Sequence, residues 1–256
     1  MNDVLNVSGY RFARIAQPHA LRDLLLAAAR DRGLKGTVLI AEEGINMFIA
    51  GAAPDVDSFL DTVRLQPGLA AFEAKRSWSH AQPFRKLLVK VKREIIRMDQ
   101  PAIAPQDGRA PAIDAQTVRR WLEQGHDDTG RPVVMLDTRN AFEVDYGTFD
   151  GAVDWRIAKF SEFPGALAEH RGDLEGKTVV SFCTGGIRCE KAALVMREAG
   201  LQNVWQLEGG ILKYFEQVGE AHFHGTCFVF DEREAVGADL APATPASTSK
   251  TSPPAE

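Results

Sequence analysis

The first hundred residues alternate between apolar stripes of helical period and short runs of strand character. Leu21, Leu24, Leu25 and Ala28 recur at helical spacing within 19–32, and Gly33 stands where a helix stops. Residues 37–41 and 47–50 read as two strands, with Glu43-Gly44-Ile45-Asn46 connecting them as a hairpin, and 10–16 suits an earlier strand. Val56, Phe59, Leu60 and Val63 mark a second amphipathic helix over 55–65. Residues 86–96 alternate and suit a last strand, whereas 66–85 show no clear period. The order predicts an N-terminal ferredoxin-like βαββαβ domain over residues 1–98.

Three prolines and no hydrophobic period make 99–113 a linker. Beyond it, Asp114 can cap a helix running to Glu123, and 133–136 and 178–182 are almost wholly apolar runs of the kind that is buried on both faces of a parallel sheet. A helix over 190–199, closed by Gly200, follows the second run, so 114–236 is predicted as an α/β domain with a mainly parallel sheet. In the last 19 residues, 15 are Ala, Pro, Ser or Thr, too polar and too small to bury a core, so 237–256 is expected to be a disordered tail.

Composition is that of a globular protein, 45% hydrophobic and 25% charged, with no apolar run long enough to span a membrane. Three cysteines without a C-x-x-C pair support neither a disulfide framework nor a zinc site, and a cytoplasmic location is expected. The net charge of −5 is unevenly spread. Residues 1–100 hold 15 Lys and Arg against 11 Asp and Glu, a balance of +4, which leaves 15 against 24, or −9, for the rest. The basic excess concentrates in Lys75, Arg76, Arg85, Lys86, Lys90, Lys92, Arg93 and Arg97, opposed within that span only by Glu94. Trp78, His80 and Phe84 are interleaved with them, and cations beside stacking rings suit a single-stranded RNA loop. The competing reading is a solvated face.

The strongest candidate for chemistry is the loop Cys183-Thr184-Gly185-Gly186-Ile187-Arg188, which joins a buried strand to a helix. Paired glycines let amide N–H groups turn inward, the helix adds its positive end, and Arg188 adds a full charge, so a thiolate at Cys183 is stabilised. The alternative is that Cys183 is a small core residue. Cys189, on the helix side, reads as packing.

With Leu136-Asp137-Thr138-Arg139 and Leu207-Glu208-Gly209-Gly210-Ile211, this loop resembles the active-site loop of rhodanese domains, with a core over about 129–223. Four residues separate Cys183 from Arg188, one fewer than in related cysteine phosphatases, which disfavours phosphatase activity. In that family the Asp137 and Arg139 positions pair structurally. Adding Ala41-Glu42-Glu43-Gly44-Ile45-Asn46 upstream and Cys227-Phe228-Val229-Phe230-Asp231-Glu232-Arg233 downstream, the chain resembles the TrhO family of oxygen-dependent tRNA uridine(34) hydroxylases. That resemblance implies conversion of the wobble uridine to 5-hydroxyuridine with molecular oxygen as co-substrate, dependent on Cys183, which the family is described as carrying as a persulfide. Its partner would be the tRNA anticodon loop, with no DNA and no membrane involved. Many relatives continue into a cysteine-rich tail, and here Ala, Pro and Ser stand instead.

No glycine-rich dinucleotide fingerprint and no two-histidine-one-carboxylate set is identifiable, so no organic cofactor and no metal is expected, and the electron donor and oligomeric state are not legible. His222, His224 and Cys227 lie too close together, without a fourth partner, to suggest a metal site. Glu42 and Glu43 point to opposite sides of a strand and read as turn-shaping. The main competing function is a thiosulfate-type sulfurtransferase forming a persulfide on Cys183; a small-anion enzyme would have no need of the basic first domain.

Overall fold

A computed structural model of the chain describes residues 4–243 and divides it into two compact units. Among the described residues, the first takes in 4–97, 104–108 and 230–233, and the second the remainder.

In the first unit β1 (Val4–Phe12), α1 (Pro18–Asp31), β2 (Lys35–Ala41), β3 (Gly44–Gly51), α2 (Ala53–Arg64), β4 (Lys75–Ser79) and β5 (Leu87–Val91) build a sheet of order β4-β1-β3-β2-β5. Alternate strand residues, among them Leu5, Val7, Val38, Ile40, Met47 and Ile49, pack on Leu21, Leu25, Val56, Phe59 and Leu60 of the helices. The ferredoxin-like order is present, but its closing strand is not the one that alternation predicts. β4 closes it, antiparallel to β1 from Val4↔Ser79 to Ser8↔Lys75, while β5 is a fifth strand, parallel to β2 on the opposite edge. Lys75-Arg76-Ser77-Trp78-Ser79 has no apolar alternation because an edge strand is held by backbone pairing on one side. β1 also begins earlier than expected, since Asn6 and Ser8 interrupt its pattern; Asn6 Nδ2 donates to Ser79 Oγ at 3.0 Å.

In the second unit β6 (Ala112–Ile113), β7 (Val133–Asp137), β9 (Val153–Asp154), β10 (Thr178–Phe182) and β11 (Val204–Leu207) form an all-parallel sheet of order β6-β11-β10-β7-β9. Around it run α3 (Ala115–Gln124), α4 (Ala141–Val144), α5 (Phe163–His170), α6 (Ile187–Glu198) and α7 (Gly210–Val218), with short antiparallel pairs β8 (Gly147–Phe149)–β12 (Phe223–Gly225) and β13 (Cys227–Phe228)–β14 (Ala235–Val236). Asp114 caps α3 as expected, accepting the Thr117 amide at 2.9 Å. Because every strand of the sheet runs the same way, the loops after β7, β10 and β11 gather at one end, where sites of open α/β sheets form.

Three boundaries differ from the sequence expectation. Ala112 and Ile113, inside the predicted linker, are the edge strand β6. Residues 230–233 group with the first unit. Residues 237–243, placed with the tail by composition, are held in part by backbone bonds from Gly237 to Ala241 and from Ala243 to Ala235. The rest of the predicted tail, 244–256, lies outside the described residues. No helix among the described residues is long and apolar enough to cross a membrane.

Candidate active site

The five residues of β10 are all buried, and the chain leaves them directly into the cysteine loop. Gly186, at φ +99°, turns the backbone so that its amide donates to Cys183 Sγ at 3.1 Å. Burial by itself raises the Cys183 thiol. The Cys189 S–H, the Arg188 charge and the amides of Arg188 and Gly186 outweigh it and hold the thiol well below the free-cysteine range. Cys189 goes the other way: its burial and the neighbouring Cys183 sulfur push it well up, so it serves as a donor. Cys183 is therefore the thiolate and Cys189 its S–H partner, a closer role than the packing expected of Cys189. Nor does Cys183 sit open at the mouth of the loop; its sulfur is turned inward and the residue has no exposed surface.

The second helix behind the loop explains the amide orientation. Gly209 and Gly210 take φ of +73° and +67°, and the first turn of α7 then donates Ile211 N to Cys183 O at 2.9 Å and Leu212 N to Thr184 O at 3.1 Å. The loop carbonyls are thus drawn away from the sulfur while amides face it. A Cβ on Gly210 would lie 2.4 Å from Cys183 O and 2.7 Å from Gly186 N, so the close approach needs glycine.

Arg188 is not a free charge. Its Nη1 and Nη2 donate to the two carboxylate oxygens of Glu143, each at 2.6 Å. Glu143 is fully buried, accepts the Asn140 amide at 3.1 Å, and lies 3.5 Å from the Thr184 hydroxyl. Sequence reasoning missed Glu143: the spacing Asn140-x-x-Glu143 signals a helix start, and nothing local links it to a loop 45 residues away. Asp137 and Arg139 are a structural pair as the resemblance implies, both side chains at 0% exposure. Asp137 accepts Arg139 Nη2 at 2.6 Å and the Thr148 hydroxyl at 2.8 Å, and Arg139 Nη2 also reaches Gly147 O at 2.6 Å.

Cys227 is buried in β13, and burial pushes its thiol up to about 12. Among the described residues no cluster of three His, Cys, Asp or Glu side chains could hold a metal ion; His224 instead pairs with Asp150 at 3.0 Å.

Residues 4–95 match the UPF0176 acylphosphatase like domain and residues 114–217 the rhodanese-like domain. A tRNA uridine(34) hydroxylase of Variovorax paradoxus is 62% identical over 240 residues, covering 94% of this chain and 91% of that protein. One of Bordetella pertussis is 62% identical over 242 residues, covering 94% and 99%. This chain belongs to the tRNA uridine(34) hydroxylase family. In this member of the hydroxylase family, the upstream motif acts within the first unit as a clamp on one peptide. Glu43 Oε1 accepts Ile95 N at 2.7 Å, and Asn46 Nδ2 donates to Ile95 O at 3.2 Å. Gly44 is needed because a Cβ there would meet Arg11 O at 2.1 Å.

The clamp fixes the end of the basic stretch, which the fold splits in two. Lys75 and Arg76 lie on β4; Lys86, Lys90, Lys92 and Arg93 lie on or beside β5, across three intervening strands. At sheet spacing that separation is about 19 Å. Lys75 is half-buried with its ammonium 5.8 Å from the Tyr10 ring centre, Arg76 pairs with Asp57, and Arg85 pairs with Glu232 at 2.5 Å. Lys86, Lys90, Lys92, Arg93 and Arg97 are exposed, and Val89 is buried in the core while its neighbour Lys90 faces out. Of the downstream motif, Asp231 and Arg233 bond each other at 2.6 Å and Arg233 reaches Ser77 Oγ at 2.8 Å.

Proposed function

We propose that this chain hydroxylates the uridine at position 34 of tRNA to 5-hydroxyuridine, with dioxygen as co-substrate and Cys183 as the catalytic group. The observation that carries the reading is the Gly186 amide directed at the Cys183 sulfur at 3.1 Å, in a loop whose Cys189 S–H, Arg188 charge and Arg188 amide also favour the anion, in a chain 62% identical to proteins named for this activity.

A thiolate, or the persulfide built on it, is a nucleophile suited to C6 of the uracil ring. Its addition leaves enolate character at C5, the carbon that is hydroxylated, and an electron-rich carbon reacts with oxygen where an intact base does not. Two electrons and two protons from an external donor balance the reduction of the second oxygen atom to water, and loss of the C5 proton then expels the sulfur from C6, restoring the C5–C6 double bond and the sulfur anion. Arg188, with its charge already shared with Glu143, supports the sulfur anion and the shape of the loop. Because Cys183 is enclosed, the site must open before a splayed-out base enters.

The exposed Lys86, Lys90, Lys92, Arg93 and Arg97 are the first unit's contribution, gripping phosphates of the anticodon stem and loop in the cytoplasm. Lys75, Arg76 and Arg85, already engaged by an aromatic ring or a carboxylate, contribute less.

The test is a nucleoside profile. Cells lacking the protein and complemented with Cys183→Ala are expected to lack 5-hydroxyuridine and its derivatives in tRNA by mass spectrometry, and wild-type levels of that nucleoside would refute the covalent role.

A further inference from the structure

The face of the first unit's sheet that lies away from α1 and α2 carries a ring held out to solvent. Met47 and Ile49 of β3 enter the core beneath the helices, so Phe48 between them points to the other side. Residues 230–233 run across that side: the Phe230 ring centre lies 6.2 Å from that of Phe48, and Arg233 donates to Ser77 Oγ at 2.8 Å. The segment is pinned further by Glu232 N to Pro83 O at 3.1 Å and by Arg85 to Glu232 at 2.5 Å. Phe230 nevertheless keeps 46% exposure. The charges around it indicate what such a ring faces. The register across the sheet runs Lys75, Ser8, Phe48, Thr37, Leu88. Lys90, two residues on from Leu88, therefore shares the face and is exposed, its backbone about 12 Å from that of Phe48 at sheet spacing. Lys35 and Lys75 share it too, and no residue of β1–β5 on this face is acidic. A ring ready to stack among cations alone matches a polynucleotide, which carries a phosphate beside every base.

We propose that Phe230, backed by Phe48, is a stacking platform for one unpaired base of the substrate tRNA's anticodon loop, with Lys90 meeting an adjoining phosphate. The choice of tRNA rests on the function proposed above. The Phe230 side chain offers no hydrogen bond, so it holds a base by its π-face and adds affinity without reading sequence. The ion pairs of Glu232 with Arg85 and of Asp231 with Arg233 fix the segment before RNA arrives, so little ordering is needed on binding.

The experiment measures tRNA affinity of the full chain over a range of salt concentrations, comparing Phe230→Ala, Phe230→Leu and Phe230→Tyr with wild type. Phe230→Ala is expected to weaken binding about fivefold or more at every salt concentration. The slope of log affinity against log salt should stay that of wild type, since no charge is removed. Phe230→Leu keeps an apolar contact with Phe48 but has no ring, and should bind as weakly as Phe230→Ala; Phe230→Tyr should bind as wild type does. Wild-type affinity in either Phe230→Ala or Phe230→Leu would overturn the proposal. If Lys90→Ala with Lys92→Ala weakens binding in that event, the phosphate grip stands and only the platform fails. Failure of wild type to bind tRNA at any salt concentration would remove both.

Discussion

The carbonyl oxygen of Cys183 accepts the amide of Ile211 at 2.9 Å, so the first turn of α7 holds the backbone of the cysteine itself. That contact is possible because Gly210 has no side chain: its Cβ position lies 2.4 Å from the same oxygen. Gly210→Ala is expected to push α7 off the loop and strain a residue at φ +67°, costing about 1–3 kcal/mol for the backbone alone. A lowered Tm together with a Cys183 thiol that titrates nearer the free value would be the result; a variant matching wild type in both would show that the contact is dispensable.

The Cys183 thiolate should be visible directly. Because Cys227 is pushed up to about 12 and Cys189 is also raised, the 240-nm absorbance step at low pH belongs to Cys183 alone. Its midpoint is expected well below the roughly 8.5 of a free thiol, and Cys183→Ser should abolish it. The sign for stability follows from the direction of the shift. A thiol lowered on folding contributes stability that is full above the unfolded value and is lost as pH falls through the folded one. A first step found only near the free-thiol value would contradict the anionic loop.

Asp127 supplies a separate acid-sensitive point at the other end of β10. Burial opposes its ionisation, but hydroxyls of Thr178 and Thr129 and amides of Arg131 and Thr129 hold it well below the usual carboxylate range. The Thr178 hydroxyl bond is 2.6 Å long. Its contribution is therefore present above an unfolded carboxylate's pKa of about 4 and is lost as acid protonates it in the folded state. Asp127→Ala should cost about 1–3 kcal/mol by stranding buried donors, read by urea denaturation at neutral pH, and the difference from wild type should narrow in strong acid.

The two edges of the first unit's sheet should differ in RNA binding. Lys90→Ala with Lys92→Ala removes two exposed cations, and the slope of log affinity for tRNA against log salt is expected to fall by roughly 1.5. Arg76→Ala removes a cation already paired with Asp57 and should change the slope far less. Equal slopes for the two variants would argue that the β5 edge is not the phosphate contact.

What could be seen in the sequence tracks how local the cause was. The β10 strand, the glycine-bearing loop and the Gly209-Gly210 pair are contiguous signals, and each lies where its local chemistry requires. β4 escaped because five residues on a sheet edge need no apolar pattern, only a partner in β1. The reach of the basic stretch was misjudged for the same reason: continuity in sequence became opposite edges once β4 and β5 were separated by three strands. Glu143 was beyond sequence reasoning because its meaning lies in Arg188, 45 residues away.

The enclosure of Cys183, at 0% exposure, bears on the lifetime of the catalyst. A sulfur kept ready to attack is also the atom most easily carried up the ladder from sulfenic to irreversible sulfinic acid by peroxide. Under the role proposed for Cys183, a sulfur shut away between turnovers is spared that fate, and an enzyme that handles oxygen can rest in air without consuming itself.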